Sequence, residues 1–498
     1  MKRCSGVLMP IFSLPGEYGS GDFGKAAYKF IDSLASAGVK VWQILPLVQT
    51  GYGNSPYSSV SSESFNPFFI SPDVLIKKKL LKKEEADFSR QNGKYIDYGA
   101  LYSTRYPLLE KAFERFDKSD KKFKAFVKRG EYRDYALFMS LKYASGQKHF
   151  YEWSEEYKRR DPAALKKFAA EYKDKILFWQ FVQYEAKEEW LALKKYANAK
   201  GVRIMGDLPL YVALDSVDVW KEPSLFKIND DFTPKKVAGV PPDYFCENGQ
   251  LWGNPVYDYD YMKKNGFKWW TERLYKMLKI YDFLRIDHFR GLDRFYEVDY
   301  GAENARNGEW VKVPSDELFA AINSKINADK IVAEDLGIID DGVRELLKKT
   351  GYPGMKILSF AFNGDKGNLY LPENSDENCV CYTGTHDNDT LKGFLDNASE
   401  WDFNNFYSGV KESLIKLGVK ADISTKEGLV KAVTELGAAS RADLFIIPVQ
   451  DMLVCGSDYR INVPGVVREQ NWAVKFCAKD LSAANFKPLK KLILKYHR

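Results

Sequence analysis

Phe283-Leu284-Arg285-Ile286-Asp287 is the stretch that decides the fold, because it is a short, mostly apolar run that stops on an aspartate. Seven other short apolar runs are bounded by Gly, Pro or Asp, and we interpret each as a strand followed by a helical pattern. They cover residues 6–12, 39–46, 202–207, 330–334, 355–360, 379–383 and 444–449. Eight strand–helix units predict an α/β fold, a parallel (β/α)8 TIM barrel. A doubly wound sheet is the alternative.

Two long insertions separate the early strands. Residues 51–200 are dominated by Lys, Glu, Ala and Leu, with apolar residues at helical spacing over 176–196, which predicts a mostly helical insertion after the second strand. Residues 219–270 are richer in Pro, Gly and aromatics, and predict a loop-rich insertion after the third strand that covers the cleft. We expect residues 1–498 to form a single catalytic barrel domain without a C-terminal β-domain.

Composition excludes several classes of protein. The chain is 45% hydrophobic and 29% charged, and no apolar run approaches the roughly 18 to 20 residues of a membrane span. The net charge of +6, from 74 basic and 68 acidic residues, is too weak to indicate nucleic-acid binding. Six cysteines without a C-x-x-C pair indicate reduced thiols, and the N-terminus has no secretory signal of usable length. We therefore expect a cytoplasmic protein.

Acidic residues stand at the ends of several predicted strands. Asp207, Asp287 and Glu334 each end a strand, and Asp387 follows the seventh strand by a few residues. Because barrel enzymes build their active sites at the carboxyl ends of the strands, these four side chains are predicted to gather at one rim. A single acid in this position is more often a helix cap or a surface charge, but four together indicate a site.

Two of these acids have neighbours that suggest distinct roles. Arg285 and Asp287 are two residues apart on a strand, so their side chains share a face, and the guanidinium would keep the carboxylate ionised as a nucleophile requires. A buried structural ion pair is the alternative. Glu334 stands where an apolar strand stops, and a carboxyl with a raised pKa suits proton donation. Its neighbour Asp335 is the rival, but alternation gives it the opposite face and we interpret it as a helix cap.

Histidines accompany two of the candidate aspartates. His288 follows Asp287 and His386 precedes Asp387, which favours recognition of hydroxyl groups over isolated structural hydrogen bonds. No spaced His/His/carboxylate set is present, so we predict neither a metal site nor a cofactor. Aromatic residues make up 15% of the chain, and aromatic rings pack on the C–H face of sugars. Two carboxylates with a third beside them fit retaining glycosidic chemistry, where the reacting pair is about 5 to 5.5 Å apart.

Sequence blocks over nearly the whole chain match one family. They are P-Y-S-S at 56–59, G-D-L-P-L-Y-V at 206–212, D-S-V-D-V-W at 215–220, G-V-P-P-D-Y-F at 239–245, G-Q-L-W-G-N-P at 249–255, L-R-I-D-H-F-R-G at 284–291, A-E-D-L-G at 333–337, T-H-D-N-D-T at 385–390, R-I-N-V-P-G at 460–465 and N-W at 471–472. The chain resembles the amylomaltases or disproportionating enzymes, which are the 4-α-glucanotransferases of glycoside hydrolase family 77 in the α-amylase clan.

The resemblance implies a double displacement on α-1,4-glucans. Asp287 matches the family's nucleophile, Glu334 its acid/base, and Asp387 the third carboxylate that holds the sugar. The remaining matches are positioning or substrate-binding residues: Arg285, His288, His386, Asp207, Tyr57, Trp252 and Asn462. Tyr57 and Trp252 have a second interpretation as aromatics that pack the loops.

The resemblance also implies the partners, which are α-1,4-glucans, maltooligosaccharides and glucose as an acceptor, with no membrane or nucleic acid. It is compatible with a monomer or a homodimer. Two other functions are the alternatives. An α-amylase-type hydrolase would release more free sugar, and a non-catalytic glucan-binding protein would be expected to lack Asp287, Glu334 or Asp387, all of which are present.

Overall fold

The computed structural model describes residues 3–51, 53–242, 247–337 and 339–498. Its strands are β1 (Cys4–Leu8), β2 (Val41–Gln43), β3 (Arg203–Leu208), β4 (Lys236–Val240), β5 (Gln250–Pro255), β6 (Phe283–Ile286), β7 (Arg294–Asp299), β8 (Gly308–Lys312), β9 (Ile331–Ala333), β10 (Gly354–Ile357), β11 (Cys379–Tyr382) and β12 (Leu444–Pro448). Eight of them form a parallel sheet in the order β10-β11-β12-β1-β2-β3-β6-β9. All eight predicted barrel strands are confirmed, with their ends shifted by a few residues.

The barrel closes between β9 and β10, where the sheet ladder is interrupted. The backbone N–H of Ala333 donates to the carbonyl of Pro353 over 2.9 Å, and the Asp335 carboxylate accepts from the N–H of Met355 over 2.6 Å. A Cβ on Gly354 would lie 2.6 Å from that carboxylate, so only glycine allows the approach. The prediction that Asp335 caps a helix is wrong, because the next helix is capped by Asp340.

Helices surround the barrel. They are α1 (Lys25–Ala37), α2 (Pro72–Lys77), α3 (Lys83–Asp87), α4 (Tyr98–Arg115), α5 (Lys121–Arg129), α6 (Arg133–Ala144), α7 (Glu155–Lys158), α8 (Pro162–Glu171), α9 (Lys173–Ala199), α10 (Val217–Lys221), α11 (Tyr259–Lys264), α12 (Lys268–Ile280), α13 (Ser315–Asn323), α14 (Asp341–Thr350), α15 (Leu391–Asn397), α16 (Glu400–Lys416), α17 (Lys426–Ala439), α18 (Val449–Met452) and α19 (Lys487–Lys495). Helix α1 ends where predicted, at Gly38, whose φ of 87° lies in the left-handed region that favours glycine. None of the helices in the described residues is both long and apolar enough for a membrane crossing.

One barrel strand is not followed by an α-helix. The described segment between β10 and β11 contains only the short 3-10 turns Leu358–Phe360 and Pro372–Asn374. Gly364 and Gly367 lie between these turns, and residues 361–378 include four asparagines, a composition that favours turns over a helix. The expectation of a helical pattern after every strand is therefore wrong at this position.

The two insertions differ in structure. The segment between β2 and β3 carries α2 to α9, as the mostly helical pattern predicts. The segment after β3 contributes the antiparallel pair β4 and β5, which joins β7 and β8 from the connection after β6 in a four-stranded sheet of order β5-β4-β7-β8. Sequence patterning did not predict this second sheet, because its strands are short and β5 is half exposed.

The inner face of the barrel is apolar at its base. Alternate residues of the strands point inward and form one cluster of buried side chains, among them Met205, Phe283, Val332 and Val380. Two residues further along β6, the next inward-facing side chain is Arg285 instead of another apolar residue. The inward row thus changes from apolar to charged at the carboxyl end of the barrel.

Candidate active site

The register of the barrel strands decides which charged side chains meet at the carboxyl end of the barrel. Asp207 on β3 is the direct partner of Arg285 on β6, and Arg285 in turn pairs with Val332 on β9. Asp287 and Glu334 follow Arg285 and Val332 by two residues, which returns their side chains to the inward face. Because β3, β6 and β9 are neighbours in the barrel, they bring together the side chains of Asp207, Arg285, Asp287 and Glu334.

Arg285 holds three carboxylates together. Its Nη1 lies 2.6 Å from Asp207 Oδ2, and its Nη2 lies 3.2 Å from Asp287 Oδ1 and 3.1 Å from Glu334 Oε2. The sum of the last two distances, 6.3 Å, is the upper limit on the separation of those two oxygens. Asp287 and Glu334 thus converge on the same guanidinium nitrogen.

The carboxylate pair is electrostatically unusual. Burial, and after it the negative charge of Glu334, raises the pKa of Asp287 well above its ordinary value, although Arg285 opposes the shift. The carboxylates around Arg285 outweigh its own burial and raise the pKa of the guanidinium, so it stays charged. Because the charge of Glu334 contributes to this shift, the site disfavours an ionised Asp287 beside a second negative charge.

His288 fixes the position of Glu334. Its φ of 48° is in the left-handed region, which costs free energy for a residue with a Cβ, and its backbone N–H donates to Glu334 Oε2 over 2.6 Å. Burial lowers the pKa of the imidazole to about 4, so the ring is neutral at pH 7. Its Nε2 is buried and has no hydrogen-bond partner among the described residues.

Asp387 stands on the opposite side of the site, on the turn after β11. Asn462 Nδ2 donates to its Oδ1 over 2.7 Å, and His386 Nε2 lies 3.4 Å from its Oδ2. The Asn462 backbone N–H also donates to the carbonyl of His386 over 3.1 Å. The Asp387 side chain is 43% exposed although these neighbours hold it, so it faces the open cleft.

Two aromatic residues connect the parts of the site. The Tyr57 hydroxyl donates to Asp207 Oδ2 over 2.6 Å, and its ring stacks on His386 with centroids 5.2 Å apart. Trp252, on β5, meets His288 edge to face at 4.8 Å. The ten residues predicted from the sequence therefore form one continuous chain of contacts, although these contacts alone do not separate binding from loop packing for Tyr57 and Trp252.

The structure adds residues that the sequence analysis missed. Arg460 Nη2 donates to the Asp387 carbonyl over 2.7 Å, and the Trp472 ring packs beside Tyr57 and His386. Asp451, buried beyond the end of β12, accepts from the Thr383 hydroxyl over 2.6 Å and from the backbone N–H of Leu391 over 2.8 Å. Trp472 lies in the N-W block that carried the resemblance. Asp451 follows β12 by three residues, so it too is an acid near the end of a barrel strand. Trp472 and Asp451 therefore both carried a signal that sequence analysis could have used.

An acid pair of this spacing, with a third carboxylate at the carboxyl rim of a (β/α)8 barrel, defines an enzyme of glycosidic-bond chemistry. A family model described as 4-alpha-glucanotransferase, glycoside hydrolase family 77, matches residues 9–479. The chain belongs to this family.

Relatives and a solved structure agree along the full chain. A 4-alpha-glucanotransferase of Clostridium butyricum is 44% identical over 95% of this chain and 96% of its own, and one of Aquifex aeolicus is 42% identical over 93% of each. The structure of Streptococcus agalactiae amylomaltase in complex with acarbose superposes with a TM-score of 0.94 at 37% identity, covering 100% of both chains. Residues 243–246, which include the last three residues of the 239–245 block, lie outside the described residues.

Asp451 holds both ends of the turn that carries Asp387, so we expect its loss to disturb catalysis without contact to substrate. Asp451→Ala is expected to lower the turnover of glucan about 10- to 100-fold, since displacements near 1 Å can have such effects. Steady-state kinetics on the folded variant measure this. Asp22→Ala is the control. Asp22 and Asp451 are both buried carboxyls, and burial raises the pKa of each to about 6. The hydrogen-bond partner of Asp22, the backbone N–H of Gly24, lies outside the site. Equal losses in both variants would contradict a specific role of Asp451.

Proposed function

We propose that this chain transfers a segment of an α-1,4-glucan to the 4-hydroxyl of an acceptor sugar or glucan, through a covalent glucosyl-enzyme intermediate. The observation that carries the proposal is the shared Arg285 nitrogen, which keeps Asp287 and Glu334 within 6.3 Å of each other. That limit on one pair of oxygens admits the roughly 5 to 5.5 Å that separates the two carboxyl groups of retaining enzymes.

In the first step, an Asp287 oxygen forms a bond to the anomeric carbon while the bond from that carbon to the glycosidic oxygen breaks. Glu334 gives its proton to the departing oxygen, so the leaving glucan carries a free 4-hydroxyl. In the second step, the 4-hydroxyl of an acceptor attacks the same carbon and returns its proton to Glu334. The bond to Asp287 breaks as the new bond forms, and the enzyme regains both starting protonation states.

The electrostatics of the pair support this assignment. The first step needs one ionised carboxyl and one protonated carboxyl, and burial together with the charge of Glu334 raises the pKa of Asp287, so the site disfavours two negative charges at once. Arg285 opposes the loss of the charge on Asp287, and the His288 N–H holds one oxygen of Glu334 in place. We assign the proton to Glu334 at the start of the cycle and the negative charge to Asp287.

The remaining residues bind the sugar in this proposal. Asp387, held by Asn462 and His386, accepts hydrogen bonds from ring hydroxyls and helps to distort the sugar. His386 Nδ1 is buried without a partner among the described residues, and a hydroxyl would supply one. The insertion 51–200 brings Tyr57 to this group, and Trp252 is presented by the insertion 219–270, which we infer covers the cleft.

We also infer a cytoplasmic location and a monomeric or homodimeric state. Five cysteines among the described residues are free thiols, which supports a reducing compartment. They are Cys4, Cys379, Cys381, Cys455 and Cys477. The substrates proposed are maltooligosaccharides and longer α-1,4-glucans, with glucose as the smallest acceptor.

Transfer and hydrolysis give different products from maltotriose, which tests the proposal. Transfer is expected to yield glucose together with maltotetraose and longer chains, at a constant number of reducing ends, because each bond broken is replaced by another. Chromatography of the products and a reducing-end assay on the same samples measure both quantities. A steady rise in reducing ends with little redistribution would establish the α-amylase-type hydrolase instead.

A further inference from the structure

The missing helix after β10 leaves a groove on the side of the barrel. A cavity of about 1530 Å³ occupies this position, between α14 and the helices α15 and α16. Ordinary small-molecule sites span roughly 300 to 1,000 Å³, so this space exceeds what one sugar at the reacting bond needs. Glu334 and Asp387 line its inner end, which makes the groove continuous with the active site.

An exposed aromatic residue lines the same groove at the start of α16. Trp401 is 68% exposed, although large apolar side chains are usually covered. Phe360 and Leu369, on the turns that replace the helix, are also exposed and line the cavity. A flat ring open to a water-filled groove matches the C–H face of a pyranose.

A polar group accompanies the ring. Asn405 follows Trp401 by four residues on α16, so the two side chains share one face of the helix. The Nδ2 atom of Asn405 has no hydrogen-bond partner among the described residues, although buried polar groups are normally paired. The amide packs against the glycine turn, where a Cβ on Gly364 would meet its Oδ1 at 3.2 Å. Rotation of the amide would present a donor to a sugar hydroxyl in the groove.

We propose that Trp401 and Asn405 form a distal glucan-binding site, which binds a sugar unit several residues beyond the reacting bond and gives preference to long acceptors. The inference rests on the proposed function. The catalytic end of the groove is lined by Glu334, the group assigned to the departing and incoming oxygen, together with Arg285 and Asp387. The site therefore serves the side of the bond on which leaving and acceptor glucans lie.

Kinetics with acceptors of different length test the site. With a fixed short donor, Trp401→Ala is expected to raise the acceptor KM about 3- to 10-fold for maltoheptaose and longer glucans, in line with the loss of one aromatic contact. The kinetics with glucose or maltose as acceptor are expected to stay unchanged, because these acceptors are too short to extend from the reacting bond to Trp401. Trp401→Phe keeps an aromatic ring at this position and is expected to retain most of the affinity for long acceptors.

Matched variants separate a binding role from a structural one. Tyr275→Ala removes a similarly exposed aromatic from α12, outside the groove, and is expected to change neither acceptor class. Equal losses for short and long acceptors in Trp401→Ala, or no loss for either, would overturn the proposal. Direct binding of maltoheptaose by calorimetry, with and without Trp401→Ala in an Asp287→Asn background, tests the site even if the wild-type chain fails to transfer from maltotriose.

Discussion

Asp287→Asn is expected to lower transfer from maltotriose by at least about 10⁴-fold, since loss of a catalytic nucleophile has effects of this order or larger. The amide has the size of the carboxyl but no charge with which to attack the anomeric carbon. It still lies beside Arg285, so the fold of the rim is retained. Initial rates of maltotriose disproportionation measure the loss, with mass spectrometry to exclude deamidation back to aspartate.

The stability of the same variant provides its control. Burial and the charge of Glu334 raise the folded-state pKa of Asp287 above the value near 3.9 expected for the unfolded chain. An ionised Asp287 therefore destabilises the folded protein, by an amount that increases as the pH rises through the interval between the two values. We expect Asp287→Asn to unfold at a higher temperature than the wild type at pH 7. This difference should shrink towards acidic pH, where the wild-type carboxyl is protonated.

A lower melting temperature at pH 7, combined with lost activity, would indicate a damaged fold instead of a missing nucleophile. Appreciable transfer by a verified Asp287→Asn protein would remove the assignment of the nucleophile altogether. The two measurements together thus distinguish a structural from a chemical role for this carboxylate.

Much of the barrel follows from local sequence because parallel strands leave a repeated pattern. The run that ends at Asp287 is apolar, short and bounded by turn residues, and the alternation of Arg285 and Asp287 on one face is fixed by the two-residue period of a strand. Strand-end position then predicted that Asp207 and Glu334 lie beside them, which the register of β3, β6 and β9 confirms. Local rules succeed here because neighbouring strands place equivalent positions side by side.

Other features depend on contacts between distant segments, which local patterns do not carry. The second sheet pairs β4 with β7 across more than fifty residues, and its strands are too short and too exposed for alternation to identify them. The groove after β10 arises because a turn-rich segment replaces a helix, and an absent element leaves no positive signal. Arg460 supports Asp387 through a backbone carbonyl, a contact that no motif spacing specifies.

Glu334→Gln is expected to lower transfer from maltotriose about 10²- to 10⁴-fold, the usual contribution of a general acid and base. Glutamine keeps an oxygen for the N–H of His288, which donates to Glu334 over 2.6 Å, but it has no proton to give to the departing glucan. The substitution also removes the Glu334 carboxylate, which is the base that activates the acceptor hydroxyl. Initial rates with maltotriose, with melting temperature as the check on folding, measure the first effect.

A donor that needs no proton separates the two carboxylates. Fluoride leaves an α-maltosyl fluoride as an anion without acid catalysis, so Glu334→Gln is expected to release about one equivalent per enzyme in a burst, through attack by the intact Asp287. The second step lacks its base, and the maltosyl-enzyme should accumulate and appear as a mass increase of one maltosyl unit. Asp287→Asn is expected to give neither the burst nor the added mass, because no bond to the anomeric carbon can form. If Glu334→Gln is as slow with the fluoride as with maltotriose, Glu334 is not the proton donor, and another group protonates the departing oxygen.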